Sequence, residues 1–252
     1  MKLLSVKNIS KHFGGVVALD NCSFDVHEGE ILGLIGPNGS GKTTMFNVIT
    51  GLHKSDSGKI MLKGEDVTGW KTHRIASSIG RTFQLIRLFP KLTVIDNMLI
   101  AMKYVHGQNF WPQLLRKKHV NEEEKAARGR ATELLKLVNL HEKSNELAEN
   151  LSYGQQKLLE IVRCLASEPK LLLLDEPIAG VNPTMTKQIL GLVKELNSKG
   201  MTIVIIEHNM NVMMQFCDRL VVLDYGKEIA SGRPSQVRKN RKVVEAYLGK
   251  RK

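Results

Sequence analysis

The chain has 252 residues, a formal net charge of +12, and 42% hydrophobic residues. That length allows one or two domains with a substantial core, and the composition excludes fibrous, low-complexity and disulfide-built classes. The charge gathers toward the C-terminal end, from Arg233 to Lys252, with a further "RKK" at 116–118; no nucleic-acid-binding motif accompanies it, so it points to solvated surface or an anionic membrane face before DNA or RNA.

In chain order, the runs "LLSVKNIS", "CSFDV" and "EILGLIG" read as β-strands. "MKLLSVKNIS" turns polar too soon for a signal peptide. "GPNGSGKT" follows the third strand, and a helix is expected over Lys42–Thr50. This is G-x-x-x-x-G-K-[ST] between a strand and a helix, the setting a P-loop requires. Gly36, Pro37, Asn38, Gly39, Ser40 and Gly41 would form the phosphate-wrapping loop, its glycines letting the backbone N–H groups, which Pro37 lacks, face the phosphates. Lys42 would hold the β- and γ-phosphates, the Thr43 hydroxyl would bind Mg2+, and Thr44 would add a phosphate contact. A strand at "GKIMLKG" follows, then "RTFQL", where Gln84 could touch the metal and the attacking water.

From about Leu88 to Ala166 the pattern is mostly helical and looks inserted into an α/β body. "EEEKAARGRATELLKLV" reads as helix, whereas 104–121 fits a loop or a short helix, with Phe110 and Trp111 as local packing. "LSYGQQ" opens an amphipathic helix: Ser152 fits the N-cap and Gln155 completes a capping box. Gly154 is a poor helix former in that first turn and would let something approach the backbone. Apolar strands return at Leu171–Asp175, Thr202–Glu207 and Leu220–Asp224, separated by helices, which predicts a parallel sheet. Two of them end in acids or histidine at the carboxyl edge, where ligands of open α/β sheets sit. Asp175 would support the Mg2+ shell, Glu176 would polarise a water as general base, and His208 would reach the γ-phosphate. The longest apolar runs are far too short to cross a bilayer. Cys22, Cys164 and Cys217 form no CxxC pair and read as reduced residues without a metal role.

Taken in order, the P-loop at 36–43, Gln84, the helix start at 151–155, the acids at 175–176 and His208 resemble the ATP-binding subunit of an ABC transporter, over essentially the whole chain. The resemblance implies a P-loop NTPase fold: a RecA-like parallel core with an N-terminal antiparallel β subdomain (1–87 and 167–252) and an inserted helical subdomain (88–166). It implies that Phe13 stacks on adenine beside Val17. It also implies that Ser152, Tyr153, Gly154 and Gln155 act in trans, covering ATP held by a second ATPase subunit. Tyr153 stands where the family commonly has glycine, and Asn182 where many relatives have aspartate. "SYGQQKLLEIVRCLASEP", "EPIAGVNP", "IIEHNM" and "AYLG" are similar to the LivG-type subunits of branched-chain amino acid importers. That branch implies two transmembrane permease subunits, a paralogous or identical ATPase partner, a substrate-binding protein acting indirectly, and a peripheral position on the cytoplasmic face of the membrane. Leu85, Ile86, Leu88 and Phe89 would receive a permease coupling helix. No nucleic acid partner is expected. The alternatives are another ABC system, for urea or amide import or lipid or lipopolysaccharide export, and a non-transport ABC ATPase.

Overall fold

The computed structural model describes residues 1–105 and 117–248. Strands β1 (Lys2–Phe13) and β2 (Val16–His27) pair antiparallel across a turn in which Gly14 takes a φ of 56°. The chain then enters β3 (Ile31–Ile35) and α1 (Lys42–Ile49) and returns as β4 (Ser57–Leu62) and β5 (Glu65–Asp66). These give a four-stranded antiparallel sheet in the order β2-β1-β4-β5. The short α2 (Thr72–Ile75) leads to β6 (Ile79–Arg81). The helical middle follows as α3 (Val94–Val105), α4 (Lys117–Lys136) and α5 (Tyr153–Leu165). β7 (Leu171–Asp175), α6 (Pro183–Ser198), β8 (Thr202–Ile206), α7 (Met210–Phe216), β9 (Arg219–Asp224) and β10 (Lys227–Gly232) complete the second sheet. The short α8 (Pro234–Val237) and α9 (Arg241–Leu248) close the described chain.

The second sheet has six strands in the order β10-β9-β3-β8-β7-β6. All neighbours are parallel except β10, which lies antiparallel on β9. Every residue of β3, β7 and β8 is buried, as expected of parallel strands covered on both faces. Side chains alternate between two apolar clusters. Leu32, Leu34, Leu171, Leu173, Val204 and Ile206 pack with Phe46 of α1 and with Leu4 and Val6 of the antiparallel sheet. Ile35, Leu172, Leu174, Ile203 and Ile205 join Met98, Leu135, Leu159 and Val162 of the helical middle and Ile189 of α6. The helical stretch therefore shares one apolar cluster with a face of the sheet.

The helix expected to start at 122 begins at Lys117. Most of 104–121, expected as a loop or a short helix, lies outside the described residues, as do Phe110 and Trp111. The three cysteines are free. Burial pushes the Cys22 thiol up to about 11 and those of Cys164 and Cys217 to about 12, so they stay protonated and unreactive at neutral pH. Because β3, β8, β7 and β6 are adjacent and parallel, the loops leaving their carboxyl ends emerge side by side. Each carries a segment that the sequence singled out.

Candidate functional site

The loop after β3 owes its path to glycine. Gly36, Gly39 and Gly41 take φ values of 153°, 78° and 102°. A side chain at Gly36 would strike the Leu223 carbonyl and Ser40, and one at Gly41 would strike the Ala18 carbonyl, whereas Gly39 faces open space. Neighbouring backbone thus fixes the two ends of the loop, and its middle stays accessible. Gly41 is the N-cap of α1 and gives no side-chain hydrogen bond, so the first helical N–H groups keep their capacity for an anion. Lys42 is buried. Its Nζ donates to the Gly36 and Pro37 carbonyls, each at 2.8 Å. Burial lowers its pKa, with Glu176 and Asp175 pulling the other way, so two acids lie within electrostatic reach of the lysine. Asn38 and Thr43 are exposed and Thr44 is half-buried along the same rim.

The acids occupy different environments. Asp175 closes β7 and is only 1% exposed. Its Oδ2 is paired with Arg81 at 3.3 Å, and its Oδ1 is buried with no partner. Burial raises its pKa, while the Arg81 guanidinium opposes the shift. Arg81 also donates to Asn47 and Thr50 of the α1 end and lies against the rings of Phe83 and Phe46. Glu176 follows in a left-handed conformation, φ 50°, with its amide donating to Ile206 O of β8 at 2.9 Å. Such a φ in a non-glycine residue costs on the order of 1 kcal/mol or more and is concentrated at functional sites. It turns the Glu176 carboxylate between two neighbours: Gln84 Nε2 lies 3.2 Å from Oε2, and His208 Nε2 is hydrogen-bonded to Oε1. Residues from the ends of β6, β7 and β8 therefore converge on one carboxylate. Glu207 turns the other way. Its carboxylate accepts from the Ile178 and His208 amides, and burial raises its pKa, so it braces the loop beneath His208.

The remaining sequence candidates lie at two further places. Phe13 and Val17 sit at the turn end of the β1–β2 hairpin, 43% and 47% exposed. Phe13 meets His53 edge to face at 5.2 Å, so it is not a core residue. The adjoining Ala18 abuts the loop glycine Gly41, which puts the hairpin beside the rim. At the start of α5 the capping box is formed in both directions: the Gln155 amide donates to Ser152 Oγ, and the Ser152 amide donates to Gln155 Oε1. Ser152 and Tyr153 are exposed, whereas Gly154 is buried. A side chain at Gly154 would collide with Met185 of α6, so within this chain Met185 is what comes close to that backbone. Asn182 serves as N-cap of α6, accepting from the Met185 amide at 2.9 Å, a role asparagine fills as well as aspartate.

Sequence reasoning passed over Arg81, Lys157 and Glu160. Arg81 directly precedes the "TFQ" segment, a charge in an otherwise apolar strand, and that was the available signal. Lys157 and Glu160 fall outside the apolar stripe of α5 and read as solvent-facing, yet both are buried. Among the described residues, no group of three or more His, Cys, Asp or Glu side chains could by itself hold a metal ion. The hard-oxygen donors near the loop do suit Mg2+, which takes few protein ligands and completes its shell with phosphate and water. The unpartnered Asp175 Oδ1 and the exposed Thr43 hydroxyl are of that kind.

An uncapped, glycine-built loop beside a strand-end carboxylate, on a parallel sheet flanked by an antiparallel one, defines a nucleotide-binding cassette. Residues 19–179 match the family model described as ABC transporter, and the chain belongs to that family, whose cassettes hydrolyse ATP. Residues 227–252 match a second model, described as branched-chain amino acid ATP-binding cassette transporter. The chain is similar to the high-affinity branched-chain amino acid transport ATP-binding protein LivG of Escherichia coli (strain K12), 41% identical over 98% of each chain. It is also similar to a solved structure of the ADP conformation of an ATP-binding cassette of an ABC transporter, at 38% identity and a TM-score of 0.85. That match covers 99% of this chain and 100% of the other. A dimeric post-hydrolysis cassette bound to ADP and phosphate is similar at 29% identity and a TM-score of 0.77, over 92% and 99% of the two chains.

Proposed function

We propose that the chain binds and hydrolyses Mg-ATP to energise uptake of branched-chain amino acids through two transmembrane permease subunits, working opposite a second ATPase subunit. The observation that carries the hydrolytic reading is the Glu176 carboxylate held between Gln84 and His208 beside the open end of the Lys42 loop. In this reading the loop amides of residues 36–43 and the Lys42 ammonium take the phosphates, and Lys42 exchanges its two carbonyl partners for phosphate oxygens. Thr44 adds a phosphate contact, and Phe13 and Val17 flank the base. Thr43, Asp175 and Gln84 would hold Mg2+, which when bound neutralises phosphate charge. Glu176 accepts a proton from the attacking water, and Gln84 and His208 fix the direction its carboxylate faces.

Ser152, Tyr153, Gly154 and Gln155 complete the site of the partner subunit. Ser152 and Tyr153 are exposed enough to do so, and the similar dimeric cassette supports a paired arrangement. Residues 1–87 and 167–252 form the ATP-binding body and 88–166 the helical part that docks to the permeases. Leu85, 81% exposed, and the exposed Phe89 supply the apolar contact for a coupling helix. In this reading the permeases provide the path and this subunit lies peripherally on the cytoplasmic face; no helix among the described residues is long and apolar enough to cross a membrane. The assignment to branched-chain amino acids rests on LivG-type similarity and the C-terminal match. The test is gentle detergent capture of the tagged chain from native membranes. Two different multi-span proteins and a second ATPase, with leucine uptake lost on deletion, are expected. A single permease type bearing two copies of this chain would move the reading to export.

A further inference from the structure

Two buried charges on α5 have no part in the chemistry above. Lys157 is 2% exposed and Glu160 is 1% exposed, and they stand one helical turn apart. Each reaches out of its helix to backbone. Lys157 Nζ donates to the Glu176 carbonyl at 3.1 Å and to the Gln84 carbonyl at 3.5 Å. Glu160 Oε1 accepts from the Arg87 amide at 3.1 Å, while its Oε2 has no partner. The exposed Tyr153 ring lies 5.7 Å from the Lys157 ammonium and covers its outer side. Residues 82–92 contain no strand or helix; Thr82, Phe89, Pro90 and Leu92 pair with other backbone groups, whereas the Gln84 carbonyl and the Arg87 amide take side-chain partners from α5.

Removing two charges from water is costly, and hydrophobic residues of similar size are often neutral or stabilising at such positions. Stability alone therefore does not account for this pair. What the pair does supply is geometry. It ties the carbonyl of Gln84 and the amide of Arg87 to the same helix that begins with Ser152, and it ties that helix to Glu176. We propose that Lys157 and Glu160 are positioning residues that clamp the Gln84–Arg87 segment and Glu176 to α5, so that a shift of this helix or a load on Leu85 changes how Gln84 meets Glu176. This deepens the ATPase reading above and rests on it for the role of Gln84 and Glu176.

The clamp is tested on the purified full-length chain by amide hydrogen exchange over residues 84–87, together with the Kd for ATP and kcat. In Glu160→Leu the Arg87 amide should exchange about tenfold faster or more, the loss expected for one hydrogen bond to a charged group. Glu160→Gln, whose amide oxygen can accept the same bond, should keep wild-type exchange. In Lys157→Met, exchange over 84–87 should rise and kcat should fall about tenfold, the scale of a small misplacement, while the Kd for ATP stays unchanged. Wild-type exchange in both Glu160→Leu and Lys157→Met overturns the proposal, as does Glu160→Gln opening as far as Glu160→Leu. The two variants are read on the same amides, so a folding failure in one leaves the other to decide. If Glu176→Gln turns over at the wild-type rate, the assignment of Glu176 as base fails, and the exchange result still decides the clamp.

Discussion

Glu176 and Asp175 are neighbours in sequence but differ in what they can do. Asp175 lies along the strand, enclosed, with Arg81 on one oxygen; Glu176 is turned by its left-handed backbone toward the loop, Gln84 and His208. Glu176→Gln keeps the size and both neighbours but removes the proton acceptor. Its turnover should fall by about 10²–10⁴-fold with ATP still bound, measured as phosphate release beside equilibrium ATP binding. Wild-type turnover in that variant would remove Glu176 from the role of base. Arg81→Ala leaves the Asp175 carboxylate buried and unpaired, and should destabilise the fold by about 3–5 kcal/mol, read from urea unfolding. A pH dependence follows from Glu160, whose pKa burial raises above 4.5, with the Arg87 amide opposing the shift. The folded protein then holds this proton more tightly than the unfolded chain, so the residue's contribution to stability declines as pH rises through the interval above 4.5 and is constant once the group is ionised in both states. Glu160→Gln removes the titration. Its stability relative to wild type should be greater at mildly alkaline than at mildly acidic pH in paired urea titrations.

At the scale of elements, α1 and α5 begin differently and serve different purposes. α1 starts on a glycine with no side-chain cap, which leaves its amides for a ligand, whereas α5 starts on a complete capping box. Ser152→Ala should cost about 1 kcal/mol of stability through the lost cap, measurable in the absence of nucleotide. Gly154 shows why composition within a turn matters. Its missing side chain admits Met185, so α5 and α6 meet at van der Waals distance. Gly154→Ala should lower the thermal midpoint, and Met185→Ala should restore part of the loss, because the clash is with a flexible side chain rather than backbone. On the buried side of α5, Leu159 lies fully within the main apolar cluster, and Leu159→Ala should cost about 2–5 kcal/mol by urea unfolding.

On the scale of the whole molecule, the parallel register of β3, β8, β7 and β6 makes one site out of segments that lie far apart in sequence. Glu176→Gln with ATP should therefore sediment as a pair of subunits, in which each Ser152 start covers the other chain's loop, while the chain without nucleotide sediments as a single subunit. A paired species that survives replacement of Ser152 and Gly154 would argue against that arrangement.

The sequence alone carried the local chemistry of the site. "GPNGSGKT" encodes its own loop because glycines permit the needed φ values, and "LLLLDEP" encodes a buried strand ending in acid because hydrophobicity and charge change at one point. The parallel sheet, the two-sided burial of its strands and the capping box were legible for the same reason: each follows from periodicity or from residues within a few positions of one another. The tertiary structure decided which distant groups meet. Arg81 pairs with Asp175 only because β6 lies beside β7, and Met185 fills the space over Gly154 only because α6 crosses the start of α5. Lys157 and Glu160 have the periodicity of a solvent face, and the 82–92 segment, closing over that face, makes them buried partners of its backbone. A residue's burial on its second side depends on a neighbour supplied from elsewhere in the chain, and no local pattern records it.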